Sequence, residues 1–202
     1  PLIAWWISQP IEPQTPDLTS EQVAFLRRTA RKTWHYFETF VTAQENWLPP
    51  DNFQEIPVPT IASRTSPTNM GLALLANLAA CDFGYLSVGG LLRRTQDTLA
   101  TLQRLERHRG HFYNWYETRT LRPLLPLYVS SVDSGNLAGH LLTLGPGLLE
   151  YQYQPILAPQ TFPGLADTLG ALLELTGRTP ELERLQADLA HPPGTLREGL
   201  AL

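Results

Sequence analysis

Hydrophobic positions recur at helical spacing in some stretches of this chain and fill whole helical windows in others. Nowhere do they sustain a period of two. Over 19–41 the pattern is amphipathic: Val23, Leu26, Ala30, Trp34, Phe37 and Val41 share a face, while Arg27, Arg28, Arg31 and Lys32 lie largely elsewhere. Thr19 with Gln22 makes a capping box at its start. The stretch 42–65 carries Pro49, Pro50, Pro57 and Pro59 and cannot be regular, and connections of that length are uncommon unless functional. Ser66 followed by Pro67 starts a helix, with a cap oxygen and a proline in the first turn. The window 70–81 is apolar all round, which predicts a helix buried on every side. From 87 to 108 the amphipathic pattern returns, with Val88, Leu91, Leu92, Thr95, Leu99, Leu102 and Leu105 facing inward. Asp133 or Ser134 then caps a second mostly apolar helix over 137–149, which Gly145, Pro146 and Gly147 should bend or break. Two further helices fall at 162–175 and 180–189, the latter with Thr179 as cap and Pro180 in its first turn.

The fold class is therefore all-α, with very little sheet. Amphipathic helices alternate with apolar ones, the arrangement of a partial α/α toroid in which an inner ring is buried and an outer ring meets water. An irregular helix bundle fits the periodicity as well. The toroid is favoured because both apolar helices begin directly after a motif-rich loop, at 64–69 and 131–136, and in a toroid such loops share one mouth. About three helix pairs are visible, half a ring. Such a half-ring would expose apolar faces unless partnered, and is expected to self-associate.

The helical domain spans 18–202, preceded by an apolar stub and linker over 1–17. The stub, 1–8, is too short to span a bilayer. Its paired Trp5 and Trp6 suit either the remnant of a membrane helix or a tail packed on the domain. Pro10, Pro13 and Pro16 make the next stretch a stiff linker.

Composition narrows the chemistry. A net charge of −4 over 202 residues gives no footprint for nucleic acid. Cys81 stands alone, so no disulfide framework or thiolate metal site is expected. No metal site is expected at His108 and His111 either, and His140 lies in an apolar helix. No cofactor is expected: the sequence has no glycine-rich phosphate loop and no nucleophile elbow.

The candidate chemistry lies in the loops. Residues 110–118 crowd four aromatics, an amide and a carboxylate into one connection, and 128–136 follow closely. An aromatic ring covers the apolar C–H face of a sugar while amides and carboxylates take its hydroxyls, so this composition points to carbohydrate. The candidate binding residues are Trp47, Asp51, Asn52, Gln54, Arg64, Asn69, His111, Tyr113, Asn114, Trp115, Tyr116, Glu117, Asp133 and Asn136. Glycosidic chemistry needs two flanking carboxylates, for which Asp51, Glu55, Glu117 and Asp133 are available. Asp133 competes as a helix cap, and Arg64 could hold loops together by pairing with Asp51 or Asp133. In an extended chain Trp115 and Tyr116 point to opposite sides, so one should pack on the core.

Blocks at 31–40, 46–55, 64–69 (Arg64, Thr65, Ser66, Pro67, Thr68, Asn69), 109–116 and 128–141 resemble, in order, the cyclic β-1,2-glucan synthases, large bacterial membrane proteins. The resemblance covers about 5–142. It implies a parent fusing a membrane-embedded UDP-glucose glycosyltransferase, a glucoamylase-like α/α region and a phosphorylase-like region. This chain looks like the start of the middle region, just after the last membrane helix, on the cytoplasmic side of the inner membrane. The implied activity of that region is closure of linear β-1,2-glucan into a ring by retaining transglycosylation. Implied partners are β-1,2-glucan and the rest of the parent polypeptide, with membrane reached only through the parent. A non-catalytic glucan-handling module and a free α/α-toroid glycoside hydrolase are the alternatives. The family usually has aspartate where this chain has Glu117, and the resemblance assigns no catalytic role to any residue here.

Overall fold

The computed structural model describes residues 2–8, 17–155 and 158–190. The proline-rich linker expected before Asp17 lies outside the described residues. Helices dominate: α1 (Leu2–Ile7), α2 (Ser20–Phe40), α3 (Pro67–Asp82), α4 (Val88–Arg104), α5 (Ser131–Glu150), α6 (Thr161–Thr176) and α7 (Pro180–Leu189). Among the described residues, sheet amounts to antiparallel two-residue pairs, β1 (Phe53–Gln54) with β2 (Thr60–Ile61), β3 (Arg64–Thr65) with β6 (Tyr116–Glu117), and β4 (Arg107–His108) with β5 (His111–Phe112), and a single bridge between Tyr116 and Pro123.

Local signals set most helix ends. Thr19 and Gln22 make both bonds of the capping box, at 3.3 and 2.9 Å. Ser66 caps α3 by accepting from the Asn69 N–H. Thr179 caps α7. Three expectations need correcting. The cap of α5 is Ser130, whose hydroxyl accepts from the Asp133 N–H at 3.1 Å, so the helix starts earlier than Asp133 or Ser134. Pro146 does not break α5. The carbonyl it leaves without an N–H partner belongs to Leu142, whose side chain is 77% exposed, on a side where water can serve instead. Finally, α4 ends at Arg104 rather than near 108: Leu105 turns to extended backbone (φ −66°, ψ 136°) and leads into the β4–β5 hairpin, whose turn at Arg109 and Gly110 is left-handed (φ 51° and 88°).

The pairing of α3 with α5 decides the architecture. It is the most extensive helix contact among the described residues. Thr68 in the first turn of α3 donates to Asp133 in the first turn of α5 at 2.7 Å. One turn on, Gly71 faces His140; further on, Leu78 faces Gly147; at the end, the Tyr151 hydroxyl reaches Asp82. Contacts in that sequence mean the two helices run parallel. The intervening α4 packs on α3, so it serves as the return crossover; its exposed face is mostly polar but includes Leu92, 53% exposed rather than inward-facing as the spacing suggested. Parallel inner helices joined by an outer helix are the repeating unit of an α/α toroid, whereas an up-and-down bundle sets successive neighbours antiparallel. The all-α, partial-toroid expectation holds.

Close approach in this pair depends on glycine. A Cβ at Gly71 would meet His140 Nδ1 at 2.2 Å and its Cβ at 2.9 Å, and one at Gly147 would meet Leu78 at 2.4 Å. The core gathers Leu48, Met70, Leu74, Leu102, Leu105, Tyr116, Leu137 and Leu144. Full burial of such side chains contributes about 1.5–3 kcal/mol each. Within α3 only Leu72, Ala79 and Asp82 are exposed, close to the all-round burial expected. By contrast α5 exposes Val132, Leu142 and Leu149, the unpartnered apolar face anticipated for half a ring.

A half-buried arginine ties α2 to this core. The Arg94 guanidinium donates to Asn77 Oδ1 (3.0 Å) and to the Phe37 and Val41 carbonyls (2.8 and 3.3 Å), so α4 closes the C-terminal end of α2. It also lies over the rings of Trp34 and Trp47, 5.2 and 5.9 Å from their centroids. Burial lowers its pKa from the ordinary arginine value. The long connections 41–66 and 105–130 therefore meet at one end of the molecule, where α3 and α5 begin.

Gly71→Ala should destabilise the fold by about 1–3 kcal/mol through overpacking against His140. Gly139→Ala, where a new Cβ has open space, should cost nothing measurable or slightly stabilise. Urea denaturation of both variants checks this.

Candidate functional site

At that end the first turn of α3 holds two carboxylates apart and in place. Asn69 Nδ2 donates to Asp51 Oδ1 at 3.3 Å, and its neighbour Thr68 donates to Asp133 Oδ1. Asp51 is brought there by its short antiparallel pairing with 61–62: its N–H donates to the Ala62 carbonyl, and Ala62 N–H returns to Asn52. The buried Leu48, Pro49 and Pro50 fix the approach, and the Tyr36 hydroxyl donates to the Pro50 carbonyl at 2.7 Å.

Arg64 leaves β3 and donates twice to Asp51 Oδ2, at 2.9 and 3.2 Å. The sequence left its partner open between Asp51 and Asp133; the partner is Asp51. Its guanidinium carbon lies 5.0 Å from the Trp115 ring centroid, a cation–π contact that holds the indole at the rim. Asn114, buried beneath, has its amide oriented so that each group meets its complement. Its nitrogen donates to Asp133 Oδ2 at 2.9 Å, while its oxygen accepts from Trp115 Nε1 (2.8 Å) and the Tyr128 hydroxyl (2.7 Å). Asn136 Nδ2 reaches Thr68 Oγ1 at 3.1 Å. Asp51, Asn52, Arg64, Asn69, Asn114, Trp115, Asp133 and Asn136 thus form one connected polar rim around a half-buried indole.

Asp133 is pulled two ways. Partial burial raises its pKa, but hydrogen bonds from Ser130, Thr68 and Ser66 outweigh burial and hold the carboxyl below the ordinary aspartate range. Glu117 is likewise held low: burial is outweighed by donors in its own turn, from the Thr120 hydroxyl and N–H and the Arg119 N–H. Both are ionised at neutral pH. They can accept from sugar hydroxyls or from water, but neither is poised to donate a proton.

Other expected residues direct their side chains elsewhere, Glu117 included although it stands opposite Arg64 in the β3–β6 pair. Tyr116 is fully buried, and its hydroxyl donates to the Glu106 carbonyl at 2.6 Å, so it supports the core and cannot meet a ligand. Burial pushes its phenol up to about 12. It is the core-facing member of the Trp115–Tyr116 pair that the sequence anticipated. Arg94 lies over one face of Trp47, as Arg64 does over Trp115, while the Trp47 carbonyl accepts from the Thr98 hydroxyl of α4 at 2.9 Å. Gln54 donates to the Ile56 carbonyl in its own loop. Glu117 caps its own turn, and Tyr113 packs on the core cluster. His111 sits exposed on the β4–β5 hairpin, opposite His108. Thr68, Ser130 and Tyr128 are rim residues left out of the candidate set, although all three lie in or beside its motifs. Among the described residues, no group of three or more His, Cys, Asp or Glu side chains could hold a metal ion, and no helix is long and apolar enough to cross a membrane.

No family model matches the chain. In sequence it is 45% identical, over 183 residues and 90% of its length, to the cyclic beta-(1,2)-glucan synthase NdvB of Rhizobium meliloti (strain 1021). The chain is a relative of one segment of that synthase. It spans 6% of the synthase's length. Among solved structures it resembles a putative glucoamylase from Bacteroides fragilis NCTC 9343 at 18% identity and a TM-score of 0.43, covering 89% of this chain and 37% of that one. That likeness is too slight to bear on fold or activity. The synthase-related blocks at 46–55, 64–69, 109–116 and 128–141 are the segments that supply the rim.

Because the folded pKa of Asp133 lies below its unfolded value of about 3.9, its bonds stabilise the fold fully above that value and are lost as pH falls through the folded pKa. Asp133→Asn should therefore lower the urea midpoint at pH 7, and the gap to the wild type should shrink by about pH 3. A constant gap across that range would remove Asp133 as the titrating group.

Proposed function

We propose that this rim binds β-1,2-glucan, within a region of a longer synthase that handles linear β-1,2-glucan and closes it into a ring by transglycosylation. The observation that carries the reading is Trp115, an indole pinned by Arg64 and flanked by two carboxylates, Asp51 and Asp133, fixed on one helical turn. A pyranose ring laid on the indole would bring its hydroxyls toward carboxylate and amide groups already held in place. Preorganised acceptors of this kind bind without ordering costs of their own. The relationship to a cyclic beta-(1,2)-glucan synthase supports β-1,2-glucan as the polymer. In such a parent the chain would face the cytoplasm beside the inner membrane, with the rest of the polypeptide as its partner.

Within that activity the part read for the rim is binding and guiding glucan. Retaining chemistry needs a protonated acid beside a carboxylate nucleophile, whereas Asp133 and Glu117 are both held ionised. Asp133 and Glu117 are therefore read as acceptors for glucan hydroxyls.

Isothermal titration with linear β-1,2-gluco-oligosaccharides tests the proposal. Trp115→Ala should weaken binding by on the order of tenfold or more, the scale of losing one aromatic contact of roughly 1.5 kcal/mol. Asp51→Ala should weaken it too, since it removes an acceptor and frees Arg64. Unchanged affinity in both variants would remove the ligand from these loops.

A further inference from the structure

A buried carboxylate outside the rim governs its geometry. Glu45 is 4% exposed, lies in the short 3₁₀ turn Ala43–Glu45, and touches none of the rim side chains described above. Its Oε1 accepts from the Ser63 hydroxyl at 3.1 Å and from Arg119 Nε at 2.9 Å, and its Oε2 accepts from the Thr118 hydroxyl. Ser63 immediately precedes Arg64, and Thr118 immediately follows Glu117. These two residues also pair with each other, Thr118 N–H donating to the Ser63 carbonyl at 3.0 Å, which extends the β3–β6 ladder by one step. Asn46, the next residue after Glu45, adds two bonds from Nδ2 to the Thr118 and Arg119 carbonyls, at 2.8 and 2.9 Å. To aim that amide and turn the chain back, Asn46 and Trp47 both adopt left-handed backbone, φ 52° and 59°, which is strained for tryptophan.

We infer that Glu45 is a positioning residue for the rim: by gripping Ser63 and Thr118 it clamps the open end of the two-residue β3–β6 ladder and sets where Arg64 lies between Asp51 and Trp115. A two-residue ladder is too short to hold register unaided. Glu45 supplies the missing constraint from the same segment that carries Asp51 six residues on, so the acid that pairs with Arg64 and the acid that places it move as one body. Desolvating a carboxylate for this purpose is tolerable because three donors meet it, one of them cationic. A well-packed apolar residue in its place would fill the volume but would leave Ser63 and Thr118 without an acceptor.

The ligand part of this inference rests on the glucan reading; the positioning part does not. The test labels the chain with 5-fluorotryptophan, assigns the Trp115 ¹⁹F resonance by its disappearance in Trp115→Phe, and measures affinity for a linear β-1,2-gluco-oligosaccharide in parallel. Glu45→Ala should shift or broaden the Trp115 resonance, leave that of Trp34 in place, and weaken binding about tenfold, the scale of losing a hydrogen bond to a charged group. Glu45→Gln, which keeps an acceptor and the volume, should restore both readouts toward the wild type. A general loss of stability would disturb Trp34 equally and would not be rescued by glutamine. Should Glu45→Ala fail to fold, the double variant Ser63→Ala/Thr118→Val removes the same grip while sparing the charge. An unmoved Trp115 resonance in either folded variant overturns the inference, as does a glutamine variant as disturbed as the alanine one. A shifted resonance in a protein whose wild type binds no oligosaccharide upholds the role of Glu45 and overturns the glucan reading instead.

Discussion

The parallel contact of α3 with α5 is the constraint on which the rest of the molecule depends. Two apolar helices can lie side by side in the same direction only if the chain returns outside them, which is what α4 does, and only if their backbones come close enough to exclude water. Gly71 and Gly147 provide that closeness, where a methyl group would collide with His140 or Leu78. Once the helices are parallel, both begin at the same end, and so do the connections that lead into them. A shared rim of loops follows from that direction alone. Had α3 and α5 run antiparallel, Asn69 and Asn136 would stand at opposite ends of the protein.

The rim then uses helix beginnings in a consistent way. Thr68 and Asn69, in the first turn of α3, carry no charge, yet each fixes one carboxylate. Asp133 occupies the first turn of α5, where free N–H groups and the helix dipole favour a negative charge. Arg64 neutralises Asp51 and lies over Trp115, so the indole is held by charge from one side and by Asn114 from its edge. The result is a surface of fixed acceptors beside an aromatic plane, built almost wholly from bonds between loops. Rigidity of that kind suits a polymer with many hydroxyls and weak individual contacts.

Much of this was legible in the sequence. The capping box at Thr19 and Gln22, the Ser66–Pro67 start and the apolar window 70–81 are local signals, and local signals survive folding. The opposite orientation of Trp115 and Tyr116 followed from strand geometry, though which ring would be buried did not. Three things lay beyond a sequence pattern. The continuity of α5 through Pro146 depends on the solvent exposure of one turn. The end of α4 depends on the turn to extended backbone at Leu105, which no neighbouring glycine or proline marks until Gly110. The burial of Glu45 and the half-burial of Arg94 depend on donors and acceptors many residues away: Thr118 lies 73 residues from Glu45, and the Phe37 carbonyl 57 residues from Arg94. Long-range polar pairing leaves no periodic trace, so charged residues in these places look like ordinary surface.

The most direct measurement is amide chemical-shift mapping of the isotope-labelled chain during titration with a linear β-1,2-gluco-oligosaccharide. The account predicts perturbations clustered at 51–52, 64–69, 114–115 and 130–136, with the opposite end of the molecule, around Phe83, Tyr85 and Tyr151, left unchanged. Perturbations centred on that opposite end, or none at saturating sugar, would contradict it.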